Sequence, residues 1–197
     1  MFKKIAALAT AAVLCAGLMA GCGASSTTAD TSYSAENPLV LTLAHGLSET
    51  HTVHIAMTQF AEEVNEKTDG RVQVKIFPNG QLGSENENLE QLQAGVIAMT
   101  KVSAPGLATY NDAFNTFGLP YIFNDTDDFY HVMDSQEMQD FFLSTGDDGF
   151  VTLTYYTSGA RSFYTKDRAI RTPADLKGLK IRVQDMKSQT DMMTYLG

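Results

Sequence analysis

The sequence predicts an α/β fold in which a parallel sheet is covered by helices. From Leu39 onward, short apolar runs of strand length alternate with longer segments whose apolar residues recur at helical spacing. Turn-forming residues such as glycine, proline and asparagine separate these segments. The order strand, helix, strand, helix, strand is typical of a parallel sheet with helical crossovers.

The first strand and helix follow directly from this pattern. Residues 39–44 form a short apolar run that predicts a strand buried on both faces and ending at His45. A helix is predicted next, because apolar residues between 53 and 64 recur every three or four positions. Residues 68–70 (TDG) end it with a glycine that accepts positive φ.

The second and third strands frame another helix. Residues 71–77 alternate apolar and polar side chains and predict a half-buried strand before the turn at 78–80. Ser84 and Glu87 have the spacing of a capping box, which predicts a helix start. A third strand is predicted over residues 97–102.

The rest of the chain predicts further elements. They are an aromatic segment (114–123), a helix (126–143), a strand (151–156), an alternating segment (161–166), a helical turn at 172–175, a strand (180–183) and a helix (189–196). Ligands of open α/β sheets bind beyond the carboxyl ends of the strands. The candidate exits are therefore His45–Gly46, Ser103–Ala104 and Ser158–Gly159.

The N-terminus predicts export. Residues 1–21 combine two lysines, an uncharged apolar run and small residues before Cys22, which is typical of a lipoprotein signal peptide. A plain signal peptide with an incidental cysteine, or a buried core helix, is the alternative. Residues 22–38 are rich in small and polar side chains and predict a flexible tether.

The charge argues against two classes of partner. Removing residues 1–21 leaves 12 basic against 23 acidic side chains, a charge of −11. Binding of nucleic acid or of anionic lipid requires a basic face, so neither is expected as the main partner. A small anionic ligand is compatible with this charge, because it responds to local arginines.

Three stretches together resemble a known family. They are residues 60–72 with 77–83 (FPNGQLG), residues 118–123 (GLPYIF), and Arg161 with residues 170–183 (IRTPADLKGLKIRV). The sequence resembles the DctP-type solute-binding proteins of TRAP transporters over residues 39–197.

The resemblance implies a bilobal, periplasmic-binding-protein-like fold that closes on a carboxylate-bearing solute. It implies lobe I over residues 39–157 and the beginning of lobe II over residues 158–197, a truncated form of a longer family chain. It also implies an extracytoplasmic receptor, held on the outer face of the cell membrane by a lipid on Cys22, that works with TRAP membrane subunits.

The family's ligand-binding residues can be carried over by motif. Arg182 matches the arginine that forms a two-pronged salt bridge with the ligand carboxylate, and Arg161 matches a second ligand-facing arginine. His45 and His51 fit the first ligand-contacting loop, and Ser103 fits a position that faces the cleft. The alternatives are surface arginines, ion pairs with carboxylates, and hydrogen-bonded loop residues.

Two other functions compete with this interpretation. A solute-binding lipoprotein of an ABC transporter has the same two-lobed plan. A secreted metal-dependent enzyme is suggested by His45, His51 and His54, but no His-Glu-x-x-His motif and no third strong ligand accompany them. We expect no enzyme activity, no cofactor and no metal.

Overall fold

The computed structural model describes residues 32–197. The predicted signal peptide and Cys22 lie outside these residues. Of the predicted tether, residues 34–37 form a turn in which Ser34 and Asn37 exchange backbone hydrogen bonds of 3.2 and 3.1 Å.

A three-stranded parallel sheet with the order β2-β1-β3 organises the first half of the described chain. Strand β1 is Leu39–Ala44, β2 is Val72–Phe77 and β3 is Met99–Thr100. β1 pairs with β2 from Leu39↔Val72 to Ala44↔Phe77, and with β3 from Leu43↔Met99. The predicted α/β class with a parallel sheet is confirmed.

The first helix begins and ends where the sequence predicts, and the second helix begins at its predicted start. Helix α1 (Thr52–Lys67) ends at Thr68, and two residues later Gly70 adopts a φ of 76°. Helix α2 (Glu85–Gln93) starts with the predicted capping box: Ser84 accepts from the Glu87 N–H, and the Glu87 carboxylate accepts from the Ser84 N–H. The capping box satisfies backbone amides of the first turn that have no acceptor within the helix.

The remaining elements are helices and 3₁₀ turns. Helix α3 is Ala104–Leu107, followed by a 3₁₀ segment at Asp112–Gly118. Helices α4 (Thr126–Met133) and α5 (Gln136–Ser144) precede 3₁₀ turns at Thr145–Asp148 and Pro173–Leu176, and α6 is Lys187–Leu196.

The core lies between α2 and the segments that follow β3. Leu89, Leu107, Phe114 and Phe150 form one buried cluster. Phe114 and Phe141 pack with ring centroids 5.1 Å apart, and the Tyr110 and Phe150 rings meet edge to face at 6.0 Å. Aromatic pairs in these arrangements stabilise a core beyond the area that they bury.

The N-terminal end of helix α6 contacts the 3₁₀ segment Asp112–Gly118. The Lys187 N–H donates to Asn115 Oδ1 at 3.1 Å, and the Gln189 amide donates to the Gly118 carbonyl. A Cβ on Gly118 would lie 2.5 Å from Ser188 Oγ and 2.9 Å from Met186 Sδ, so only glycine allows this close approach.

Four sequence predictions about strands are wrong. The third strand pairs only at Met99–Thr100 rather than over residues 97–102. Val40 is 51% exposed, so β1 is not buried on both faces along its whole length. Residues 151–156 and 180–183 contain no strand.

Local hydrogen bonding explains two of the differences. The predicted helix over residues 126–143 is interrupted because Ser135 takes an extended backbone and its hydroxyl accepts from the Met138 N–H, which starts α5 anew. Near residue 151, the Thr152 N–H donates to the buried Thr145 hydroxyl at 2.9 Å, so a side chain uses a donor that a neighbouring strand would need.

Candidate functional site

The carboxyl ends of β1 and β3 lie side by side, because β1 is the central strand and β3 is its parallel neighbour. The Lys101 N–H donates to the Ala44 carbonyl at 3.1 Å. His45, Lys101 and Ser103 therefore emerge at one edge of the sheet, where open α/β folds place their ligands. We call this group, together with Glu85, the sheet-edge cluster.

His45 is the most buried member of the cluster, with 0% of its surface exposed. Its Nδ1 accepts the Leu47 N–H at 3.1 Å, and its Nε2 lies 3.0 Å from Nδ1 of His54. Burial lowers the pKa of His45 below its ordinary value of 6.5, and His54, Lys101 and His51 add repulsion in the same direction. The ring is therefore neutral at pH 7.

Glu85 connects helix α2 to the end of β3. Its Oε1 lies 3.0 Å from Lys101 Nζ, and its Oε2 accepts both the backbone N–H (3.1 Å) and the hydroxyl (2.5 Å) of Ser103. Burial tends to raise the pKa of Glu85, but the hydrogen bonds from Ser103 and Lys101 outweigh it and hold the pKa below its usual range. The cluster thus contains a half-buried carboxylate that stays ionised.

His51 has a defined local role. It is the N-cap of α1, and its Nδ1 accepts the Val53 N–H at 3.1 Å. A side-chain acceptor at this position satisfies one of the free amides of the first turn. His51 as a whole is exposed.

Arg161 and Arg182 lie on segments without regular secondary structure, and both are exposed. Within residues 32–197, neither guanidinium forms a salt bridge or a hydrogen bond. Near the third predicted exit, Gly159 has a φ of 70° and its N–H donates to the Thr157 hydroxyl. The structure brings His45 and Ser103 to one sheet edge. The ligand-binding roles of all five residues remain predictions.

Glu85 and Lys101 are not among the residues predicted for the site. In the sequence Glu85 is only part of a helix start, and no local pattern connects it to the end of β3. Lys101 fell inside a predicted strand of 97–102, so its position past the end of β3 was hidden.

Within residues 32–197, no three His, Cys, Asp or Glu side chains are grouped so that they could bind a metal ion. None of the described helices combines the length and the apolar character that crossing a membrane requires.

Residues 43–197 match the family model of the bacterial extracellular solute-binding proteins, family 7 (DctP). An uncharacterised Salmonella typhimurium protein, YiiZ, is 38% identical over 84% of this chain and 51% of its own length. The chain spans about half the length of the curated relatives that it matches.

Solved structures of TRAP periplasmic solute binding proteins are also similar to this chain. The TRAP periplasmic solute binding protein of Anaerococcus prevotii, with bound D-glucuronate, has 36% identity and a TM-score of 0.75, over 81% of this chain and 52% of that one. The TRAP protein of Xanthobacter autotrophicus, with bound β-D-galacturonate, has 35% identity and a TM-score of 0.71, over 80% and 52%. These neighbours have the bilobal fold that the resemblance implies.

Proposed function

The chain belongs to bacterial extracellular solute-binding protein family 7, and on this premise we propose that the full-length protein is the extracytoplasmic receptor of a TRAP transporter for a small organic acid. The observation that carries the proposal is the family match over residues 43–197, joined to two structural neighbours that hold a hexuronate. The receptor delivers the captured acid to the membrane subunits.

The acid carboxylate docks on Arg182, with Arg161 as the second contact. A guanidinium presents a planar fork that matches the two oxygens of a carboxylate, which an ammonium group cannot do. No other described residue engages either guanidinium, and this supports their availability for a ligand. Closure of two lobes around the acid excludes water and strengthens the ion pair.

The sheet-edge cluster supplies polar groups for the rest of the ligand. Of the predicted contacts, His45 and Ser103 belong to this cluster, and His51 caps the helix that follows the loop after β1. A hexuronate carries several hydroxyl groups besides its carboxylate, and such groups need donors and acceptors of this kind when they are buried. D-Glucuronate and D-galacturonate are therefore the first acids to test.

The N-terminal segment supports a location on the outer face of the cell membrane. A lipid on Cys22 anchors the protein to the outer face of the cell membrane, since the residues before it have the composition of a lipoprotein signal peptide. Fractionation of cells that carry Cys22→Ala tests this anchor, because the variant should leave the membrane fraction.

Calorimetry of the full-length protein with D-glucuronate tests the clamp. Arg182→Ala should weaken binding by about 2–5 kcal/mol, which corresponds to roughly 30-fold or more in Kd. Arg182→Lys should recover only part of this loss, because it restores the charge without the fork. Arg171→Ala, at an exposed arginine of the same region, is the matched control and should leave Kd unchanged.

Two results would contradict the proposal. Unchanged affinity in Arg182→Ala removes the carboxylate clamp. Turnover of an organic acid in a metabolite panel, in place of a thermal shift without turnover, rejects the receptor in favour of an enzyme.

A further inference from the structure

His45 of the sheet-edge cluster pairs with His54 of α1 in a defined geometry. His45, at the end of β1, is fully buried, and His54 lies in the first turn of α1. Their ring centroids are 5.1 Å apart and the ring planes are inclined at 58°, with the Nε2–Nδ1 contact at 3.0 Å. A contact of this length between two rings requires one N–H and one lone pair.

The hydrogen bonds fix which nitrogen of His45 carries the proton. The Leu47 backbone N–H can only donate, and it points at His45 Nδ1 at 3.1 Å. His45 Nδ1 must therefore be the unprotonated nitrogen, which places the proton of the neutral ring on Nε2. The His45 Nε2–H then donates to His54 Nδ1.

Hydrogen bonding also locates the proton of His54 and connects this ring to Thr58. Because Nδ1 of His54 accepts, its proton is on Nε2, which lies 3.5 Å from the Thr58 hydroxyl oxygen. The Thr58 hydroxyl uses its own proton for the His54 carbonyl at 3.0 Å, so its oxygen is free to accept. The donors run in one direction from Leu47 through His45 and His54 to Thr58.

An added proton on either ring would oppose this order. Protonated His45 would direct an Nδ1–H at the Leu47 N–H. Protonated His54 would direct an Nδ1–H at the His45 Nε2–H. The charged groups that act on His45 from neighbouring elements are Lys101 after β3 and, when protonated, His54 and His51 of the α1 region. Lys101 is itself paired with Glu85.

The chain of donors begins in the loop that joins β1 to α1. Leu47 donates to His45, its carbonyl accepts the Asn79 N–H at 2.9 Å, and the His45 carbonyl accepts the Gly80 N–H at 3.0 Å. The His51 N–H donates to the Ser48 carbonyl at 3.1 Å. The loop therefore takes its position from the His45 ring at one end and from the His51 cap at the other.

We propose that His54 is a positioning residue for the candidate ligand site: it holds the buried His45 ring in the Nε2–H tautomer, and that ring orients the loop of residues 46–51. The effect on ligand affinity rests on the proposed function, whereas the tautomer does not. His54 itself acts only through His45.

Imidazole ¹⁵N NMR of the full-length protein without ligand tests the tautomer. His45 and His54 should both give the neutral Nε2–H pattern at pH 7, because their hydrogen bonds leave Nδ1 of each ring as an acceptor. An Nδ1–H tautomer or a cationic ring for His45 at pH 7 would overturn the proposal, whatever acid the protein binds.

A matched pair of substitutions tests the positioning role. His54→Phe keeps a ring but removes the acceptor, whereas His54→Asn can place an acceptor oxygen close to the position of Nδ1. Affinity for D-glucuronate should fall at least tenfold in His54→Phe and stay within about threefold of the wild type in His54→Asn. Equal losses in the two variants would refute the role of the acceptor.

Thr58→Val covers the case in which His54→Phe does not fold. It removes the hydroxyl that accepts from His54 Nε2–H and leaves both rings in place. The His54 ¹⁵N pattern should then change while the His45 pattern persists. Unaltered spectra for both rings would contradict the chain of donors.

Discussion

Residues 39–100 and residues 149–183 have similar sequence patterns but different structures. In the first region, the predicted strands 39–44 and 71–77 form and pair residue by residue. In the second, residues 151–156, 161–166 and 180–183 alternate in the same way, yet none of them is a strand. Leu153 is 65% exposed, whereas Leu89, in the helix that covers the sheet, is 1% exposed.

The difference shows that an alternating pattern does not suffice to form a strand. A strand is stabilised by a neighbour that accepts its N–H groups and covers its apolar face. β1 has such neighbours on both sides. Within the described residues, the segment 151–156 pairs with no strand of the sheet, and one of its amides is used by Thr145.

A pair of leucine substitutions should give the largest contrast between the two regions. Leu89→Ala opens a cavity in the buried cluster with Leu107 and Phe114 and should lower the free energy of unfolding by about 3 kcal/mol. Leu153→Ala removes an exposed side chain and should change it by less than about 0.5 kcal/mol. Urea denaturation of both variants measures the difference.

Similar losses of unfolding free energy in Leu89→Ala and Leu153→Ala would contradict the difference between the two regions. They would mean that residue 153 is covered in the full-length protein in solution. A small effect of Leu89→Ala alone would instead mean that the cluster around it contributes less to folding than its burial suggests.

The sequence predicted the elements whose signals are local. The capping box at Ser84, the end of α1 near Gly70 and the helical turn beginning at Pro173 all depend on residues within four positions of each other. The true length of β3 could not be predicted, because it depends on how far β1 extends beside it.

The candidate site was predictable only in part, for the same reason. The motif-based assignment selected His45 and Ser103 at two strand exits, and the parallel order of β1 and β3 brings them to one edge. Glu85 joins them only through a contact across eighteen residues of sequence, which no local pattern reveals. The pairing of His45 with His54 likewise requires the packing of α1 on the sheet.

Glu85→Gln should have an intermediate effect on the free energy of unfolding, and this effect should depend on pH. The carboxylate receives hydrogen bonds from Ser103 and Lys101, so its loss should cost about 1–2 kcal/mol near pH 7. Because the pKa of Glu85 is lowered in the folded protein, its stabilisation is present above its ordinary value of 4.5 and is lost as the pH falls below it. The two proteins should therefore converge in stability in acid.

Glu90→Gln is the control for this measurement, since Glu90 is an exposed glutamate of the same helix. Near pH 7, Glu90→Gln should change the free energy of unfolding by less than about 0.5 kcal/mol. If thermal melts from pH 7 to pH 3 show the same loss of stability for Glu85→Gln at every pH, its ionisation does not stabilise the link between α2 and the end of β3.

The smallest contrast concerns the helix starts of the two regions. The Ser84 hydroxyl accepts a backbone amide of α2, so Ser84→Ala should cost about 1 kcal/mol. In the second region the Thr172 hydroxyl donates to the Asp175 carboxylate, which also accepts the amides of Arg171 and Thr172. Thr172→Ala leaves both amide bonds intact and should cost only a few tenths of a kcal/mol, on the order of an exposed substitution. Chemical denaturation measures the loss of unfolding free energy in both variants. Equal losses would show that the hydroxyl of residue 172 stabilises its turn as much as the hydroxyl of residue 84 stabilises α2.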